Sequence, residues 1–287
     1  MRYLNLGCSS RYHPDWVNID ISPQGPEVIV HDVTQGIPLP DASCDVVYHS
    51  HVIEHLRRAD GVRLTKECYR VLKPGGILRV ATPDLERICR TYLEKLEAAL
   101  SGDNRSVHDY EWIMLEMYDQ TVREKSGGGM LEYLSQDHLA NETFIYERIG
   151  EEGRNIVRNL RAKGPLADQP HARQAGGRRL RKRQSSLWDK ARDLILASLL
   201  GRDSLRALLE VGEFRLAGEV HHWMYDRYSL SQLMLMVGFQ NPILQSASES
   251  LMPQWSSFNL DTLPDGTVIK PDSLFMEADK SPERQVR

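Results

Sequence analysis

Over residues 1–90, short apolar runs alternate with turn signals. Tyr3–Leu6 reads as a strand ending at Gly7, and Trp16–Ile21 as a second with Trp16, Val17, Ile19 and Ile21 apolar. Val28–Val30 reads as a third strand, closed by His31-Asp32. Pro38, Pro40 and Asp41 mark a loop before a fourth strand at Asp45–Tyr48. Asp60–Leu72 places Val62, Tyr69 and Leu72 near one helical face. Lys73-Pro74-Gly75-Gly76 stops that helix, because proline cannot continue it and glycine permits the reversal. Ile77–Ala81 is the fifth strand. Strands joined by crossovers predict an α/β fold with a mostly parallel sheet.

The pattern then changes. Glu86–Leu100 and Trp112–Glu124 are the clearer helices of residues 84–160, and Gly127-Gly128-Gly129 interrupts them. Gly164–Gln184 is rich in Pro, Gly, Lys and Arg, holds almost no bulky apolar residue, and reads as a mobile loop. Trp188–Leu200 and Leu205–Leu216 resume helical periodicity, and Leu230–Val237 is a helix ended by Gly238. Ile243–Ala247 and Ser273–Ala278 predict strands on either side of a Pro/Asp/Gly-rich excursion. No repeat is visible, and no apolar run approaches the ~20 residues of a membrane helix.

The chain has 287 residues, 41% of them apolar and 26% charged, which excludes collagen-like, coiled-coil and wholly disordered classes. Cys8, Cys44, Cys68 and Cys89 show no CxxC spacing, and the first strand starts too early for a signal peptide. A cytoplasmic location is therefore expected. The formal charge of -4 hides a division. Arg154–Arg192 carries 12 Lys/Arg against 2 Asp/Glu, so the remainder is -14.

A strand followed by a tight glycine turn points backbone N–H groups at the carboxyl edge of a parallel sheet, where such sheets bind ligands. Here the turn is Leu6-Gly7-Cys8-Ser9-Ser10. A pyrophosphate fingerprint G-x-G-x-x-G fails, since its second and third glycines would be Ser9 and Tyr12. A nucleoside without phosphates needs only the first close approach. Asp20 ends the second strand, placed to accept from both hydroxyls of a ribose. Asp32 ends the third, placed to accept from an adenine amino group. Either acid alone reads equally well as a turn residue; the two together favour an adenosine site.

Leu4–Ser10, Asn18–Ser22, Asp32–Leu39, Asp45–Leu56 and Leu72–Asp84, with the LKPGG run at Leu72–Gly76, resemble the class I S-adenosylmethionine-dependent methyltransferases of the type 11 branch. The resemblance covers residues 1–90 closely and returns at Tyr228–Gly238 and Ser273–Ala278. It implies a Rossmann-like, mostly parallel seven-stranded sheet whose last strand is antiparallel, with an α-helical insertion. It also implies S-adenosylmethionine as cofactor and S-adenosylhomocysteine as product. Gly7 and Cys8 would contact the methionine part, Asp20 the ribose, and Asp32 with the Val33 backbone the adenine. His49 and Ser50 would line the methyl end. Ser9 replaces the usual second glycine, and only twelve residues separate Gly7 from Asp20, so the first crossover should be abbreviated.

His51-Val52-Ile53-Glu54-His55 matches the inverted zinc-protease pattern H-x-x-E-H, but its place after a sheet strand argues against a protease. A His-Glu-His set, joined by His221 or His222, could hold a divalent ion, yet hard ions prefer oxygen. The expectation is no metal, with Glu54 and His55 hydrogen-bonding backbone at a helix start. His51 or His222 is the candidate general base, with Trp223 and Tyr225 shaping the pocket. The basic stretch within 173–183 suits an anionic or lipid-linked substrate, or RNA. Aromatic residues are absent from Gly164–Leu187, which argues against single-strand binding.

The expected organisation is a cofactor-binding part at 1–84, a helical insertion or lid at 85–220 holding the basic loop 164–184, and a part completing the sheet at 221–287. The expected activity is O-methylation of a small molecule or saccharide. A non-catalytic S-adenosylmethionine-binding or regulatory protein and an RNA methyltransferase are the alternatives, and nucleic acid is not the expected partner. Oligomeric state is not readable.

Overall fold

The computed structural model describes residues 1–163, 196, 198 and 201–282. The expected basic loop 164–184, and nearly all of the Trp188–Leu200 helix, lie outside them. Seven strands form one sheet: β1 (Tyr3–Leu6), β2 (Val17–Asp20), β3 (Val28–Val30), β4 (Cys44–Ser50), β5 (Leu72–Pro83), β6 (Phe239–Gln245) and β7 (Ser273–Lys280). Their spatial order is β3-β2-β1-β4-β5-β7-β6. β3, β2, β1, β4 and β5 run parallel, and β7 is antiparallel to both β5 and β6. The mostly parallel sheet is what the residue pattern predicts, and the Rossmann-like seven-stranded arrangement is what the methyltransferase resemblance implies.

One face is covered by helices. α1 (Arg58–Val71) buries Gly61, Leu64, Thr65, Cys68 and Val71, a helical stripe. After the insertion helices described below, α7 (Arg227–Val237) buries Leu230, Leu233 and Met234. It starts at Asp226, whose carboxylate accepts from the Ser229 N–H while the Asp226 N–H donates to the Ser229 hydroxyl. It ends at Gly238, in the left-handed region at φ 115°. These helices pack on Leu4, Leu6, Ile19, Val47, Leu78, Val80 and Met276 of the sheet.

The Lys73–Gly76 run follows the end of α1 as expected and also forms a bulge in β5. The chain is already extended at Leu72, and pairing jumps from Cys44–Leu72 to Val46–Ile77. Four residues thus bulge opposite Asp45, and Lys73 Nζ reaches both Asp45 carboxylate oxygens at 2.9 Å.

The first crossover, residues 7–16, contains no helix. Asn5 Nδ2 donates to Arg11 O, and Asn18 Nδ2 donates to His13 O and Trp16 O, which pins the loop without one. The face so exposed is covered by the coil between β6 and β7. Met252, Trp255 and Leu260 pack there on Trp16, Val46 and Tyr48.

The helices at 85–216 are α2 (Leu85–Leu100), α3 (Asn104–Val122), α4 (Gly128–Leu134), α5 (Glu142–Lys163) and α6 (Arg202–Leu216). They carry their own apolar cluster of Trp112, Leu134, Leu139, Ile145 and Val157. Gly127 does not merely break the helices: at φ 77° it caps α4. α5 kinks at Gly150, φ 58°, where a Cβ would stand 2.5 Å from Ile269 O. Among the described residues, no helix is long and apolar enough to cross a membrane.

Candidate active site

The carboxyl ends of β1, β2, β3 and β4 bring the sequence-predicted residues to one edge. β1 ends at Gly7, φ 63°, where a Cβ would overlap Val52 Cγ2. Only glycine fits that turn against Val52 at this φ. Gly7 N–H and Cys8 N–H both donate to Ile19 O, which ties the turn to β2. The Cys8 thiol is buried, and burial, aided by the Asp20 charge, pushes its pKa up to about 12. It is therefore a neutral wall of the turn.

Asp20 is held by its own surroundings. Oδ2 accepts from the Ser9 N–H and Oδ1 from the Ser22 N–H, each at 2.8 Å. Each oxygen keeps acceptor capacity for a further donor, so the carboxylate is preset for two hydroxyls. Asp32 caps a 3-10 turn at Val33–Gln35, and its Oδ1 accepts from Thr34 N–H and Thr34 Oγ1. These features fit the ribose and adenine of the expected cofactor.

His49 is fully buried, its position on β4 placing it on the face that Val47 shares with the helices. Neither ring nitrogen has a hydrogen-bond partner. Burial lowers its pKa to about 4 against a weaker opposing effect of the Glu54 charge, so the ring is neutral. Ser50, next along β4, is partly exposed at the edge.

Beyond β4 the chain turns sharply at His51, a non-glycine residue at φ 54°. The turn places His51 Nδ1 3.0 Å from Glu54 Oε1 and Nε2 2.8 Å from Ser273 Oγ. Glu54 is fully buried, and its Oε2 accepts from Thr82 Oγ1. Burial raises the Glu54 pKa, but His51, His55 and His221 outweigh it, and the carboxyl sits well below its ordinary value. His55 Nδ1 lies 3.4 Å from Val220 O. Residues 53–55 form only a 3-10 turn, so the expected local backbone bonds of Glu54 and His55 are replaced by contacts to Thr82 and Val220.

The segment before α7 runs across this cluster. His222 N–H and Trp223 N–H both donate to Glu54 O. His221 is buried, its ring 4.7 Å from that of His55, and burial lowers its pKa to about 3. His222 is half-buried, with its pKa lowered by burial. Trp223 stays exposed under the Arg58 guanidinium. Tyr225 does not shape a pocket: it is buried in the core between sheet and helices.

Three contributors have weak sequence signals. Ser22, two residues past Asp20, is the Asx-turn spacing and could have been found. Ser273 is legible only as the start of a strand. Lys270, paired with Glu152 Oε2 at 2.8 Å, joins a loop to α5 across the chain, with no pattern to connect them.

A family model described as "Methyltransferase domain" matches residues 9–80. A probable S-adenosylmethionine-dependent methyltransferase of Mycolicibacterium smegmatis is 50% identical over 56 residues, 20% of this chain and 21% of that protein. One from Mycobacterium tuberculosis is 54% identical over 48 residues, 17% of each chain. These matches span about a fifth of the relatives' length. Among solved structures, an S-adenosylmethionine-dependent methyltransferase from Archaeoglobus fulgidus overlays 97% of this chain and 86% of its own at 12% identity and a TM-score of 0.37. The matched stretch contains Asp20 and Asp32 and runs from the glycine turn into β5. Residues 9–80 therefore match a methyltransferase domain, and the chain is similar over part of its length to probable S-adenosylmethionine-dependent methyltransferases.

Proposed function

We propose that the protein methylates an oxygen of a small-molecule or saccharide acceptor. The observation that carries this is the Gly7 turn with Asp20 and Asp32 at successive strand ends, beside a histidine paired with a buried carboxylate. S-adenosylmethionine, when bound, supplies the electrophilic methyl group. Gly7 and Cys8 border its amino-acid end, Asp20 holds the ribose hydroxyls, and Asp32 with the Val33 backbone receives the adenine. His49 and Ser50 close the site at the end of β4.

His51 is the better placed of the two candidate bases. Glu54 beside Nδ1 favours the tautomer with its proton there, leaving Nε2 to accept. Nε2 faces Ser273 Oγ, the position an acceptor hydroxyl would take over. Among the described residues, no carboxylate forms an ion pair with the His222 ring. Glu152 and Lys270 border this side, a polar pair suited to a hydroxylated acceptor. Alignment of acceptor and cofactor supplies much of the rate in such transfers.

Calorimetry with S-adenosylmethionine, S-adenosylhomocysteine and NAD tests the cofactor assignment. Binding of the first two and not the third is expected; no binding of either ends the proposal. A labelled-methyl assay over hydroxylated acceptors then separates an enzyme from a binding protein. His51→Ala should lose turnover at least tenfold with cofactor affinity retained.

A further inference from the structure

We infer that Glu54, His55 and His221 form a binding site for one divalent transition-metal ion of the zinc type. The inference goes beyond methyl transfer and does not depend on it. Each residue offers a ligand atom, and these atoms lie within 4.8 Å of one another. Zinc at ~2.1 Å from each would need spacings of about 3.4 Å in a tetrahedral site, a contraction that side-chain rotation can supply.

The cluster is assembled rather than accidental. Glu54 and His55 come from the turn after β4, and His221 from a segment far along the chain. Glu54 O accepts from the N–H groups of both His222 and Trp223, which fixes one segment against the other. One of the three ligands carries a buried atom with no hydrogen-bond partner among the described residues: His221 Nδ1. Unpartnered buried polar atoms are uncommon and costly, and a cation would satisfy this one. His51 Nδ1, 3.0 Å from Glu54 Oε1, holds that carboxylate in place beside the two histidines.

The outer contacts suit the same role. His55 Nδ1 faces Val220 O, which would fix the tautomer that leaves Nε2 for a metal. Thr82 Oγ1 donates to the second oxygen of Glu54. Two imidazoles and one carboxylate select a borderline ion over Mg²⁺ or Ca²⁺, which require more oxygen ligands. Three protein ligands also leave a coordination position open. The expectation of no metal, based on His51 standing first in the motif, is thus replaced by a set that reaches across to His221.

The test uses the full-length protein, stripped with a chelator and titrated with Co²⁺ as a spectroscopic stand-in. One equivalent should produce visible absorption bands that Zn²⁺ abolishes stoichiometrically and millimolar Mg²⁺ does not. His221→Ala and Glu54→Gln should each weaken Co²⁺ binding at least 100-fold. His108→Ala, a partly exposed histidine outside the cluster, should leave it unchanged. Circular dichroism checks folding. If His221→Ala unfolds, His221→Gln and His55→Ala carry the comparison. No saturable band at one equivalent, wild-type affinity in the folded variants, or displacement by equimolar Mg²⁺ would each overturn the assignment.

Discussion

Asp20 gives the sharpest test of the cofactor site. Its two carboxylate oxygens each accept one backbone N–H at 2.8 Å, from Ser9 and Ser22. Asp20→Asn keeps the shape but replaces one oxygen with an NH₂ group. That group faces a backbone donor, so one of the two bonds is lost whichever way the amide turns. On the ligand side, one of two charge-assisted acceptances is lost and the other is made to a neutral oxygen. A hydrogen bond to a charged group contributes roughly 1.5–3 kcal/mol and a neutral one about 1 kcal/mol. The loss in binding is then about 2–5 kcal/mol, or roughly 30- to 5000-fold in Kd. Calorimetric titration with S-adenosylhomocysteine reads it directly. Because Ser9 is exposed, its freed N–H can turn to water, and the fold should hold. A folded variant whose affinity changes less than threefold would refute the ribose assignment.

Three further outcomes follow from buried charge and backbone shape. His49 is neutral in the fold with its pKa lowered to about 4, against 6.5 when unfolded. The unfolded chain therefore binds the extra proton first on acidification, and stability present above pH 6.5 is lost as pH falls toward 4. Between pH 7.5 and pH 5 this amounts to about 2 kcal/mol, read by urea unfolding; His49→Leu should remove that part of the slope, and an unaltered slope contradicts the burial argument. Arg79→Met strands two buried carboxylates, Asp261 and Glu277, and should cost about 3–5 kcal/mol by the same measurement. A loss under 1 kcal/mol would mean the network is dispensable. Gly150→Ala forces a Cβ into Ile269 O at a positive φ and should cost about 2 kcal/mol or more, whereas Gly102→Ala, also at positive φ but with open space around it, should cost about 1–2 kcal/mol from backbone strain alone.

The cofactor edge was legible because its signals are local. Gly7, Asp20 and Asp32 each stand where an apolar run ends, and strand periodicity alone puts those ends on one edge. The histidine cluster was half legible. His51, Glu54 and His55 stand within five residues, but which of His221 and His222 faces them depends on how residues 220–225 cross Glu54 O. Periodicity carries no information about such a crossing. Tyr225 was misplaced for a related reason: its aromatic ring suits a pocket or a core equally, and packing beside Gly61 decides for the core. The Lys73–Gly76 run was half legible: it stands where α1 ends, but proline and glycine punctuate helices and strands alike, so its bulge in β5 left no separate signal. A bulge in β5 uses the same residues as a helix stop.

The coil between β6 and β7 was the least legible part, and the shortened first crossover explains why it exists. A helix after β1 would ordinarily shield one face of β1 and β4. Here that face meets Trp16, Trp255 and Phe258, edge-on aromatic contacts drawn from a loop and a coil. A coil lacks the periodic apolar stripe that anchors a helix, so it needs specific attachments. Arg79, fully buried on β5, supplies them: its guanidinium pairs with Asp261, donates to Ser246 O and Glu249 O, and lies 4.2 Å from the Trp255 ring centre. Tyr48 O–H donates to the same Asp261. Anchored in this way, the coil runs on to Ile269 against Gly150, Lys270 against Glu152, and Ser273 against His51. The segment that replaces a missing helix on one face thus carries Lys270 to Glu152 and Ser273 to His51 at its end. Disturbing Arg79 should therefore reach His51 through Ser273, even though Arg79 itself faces away from the cofactor edge.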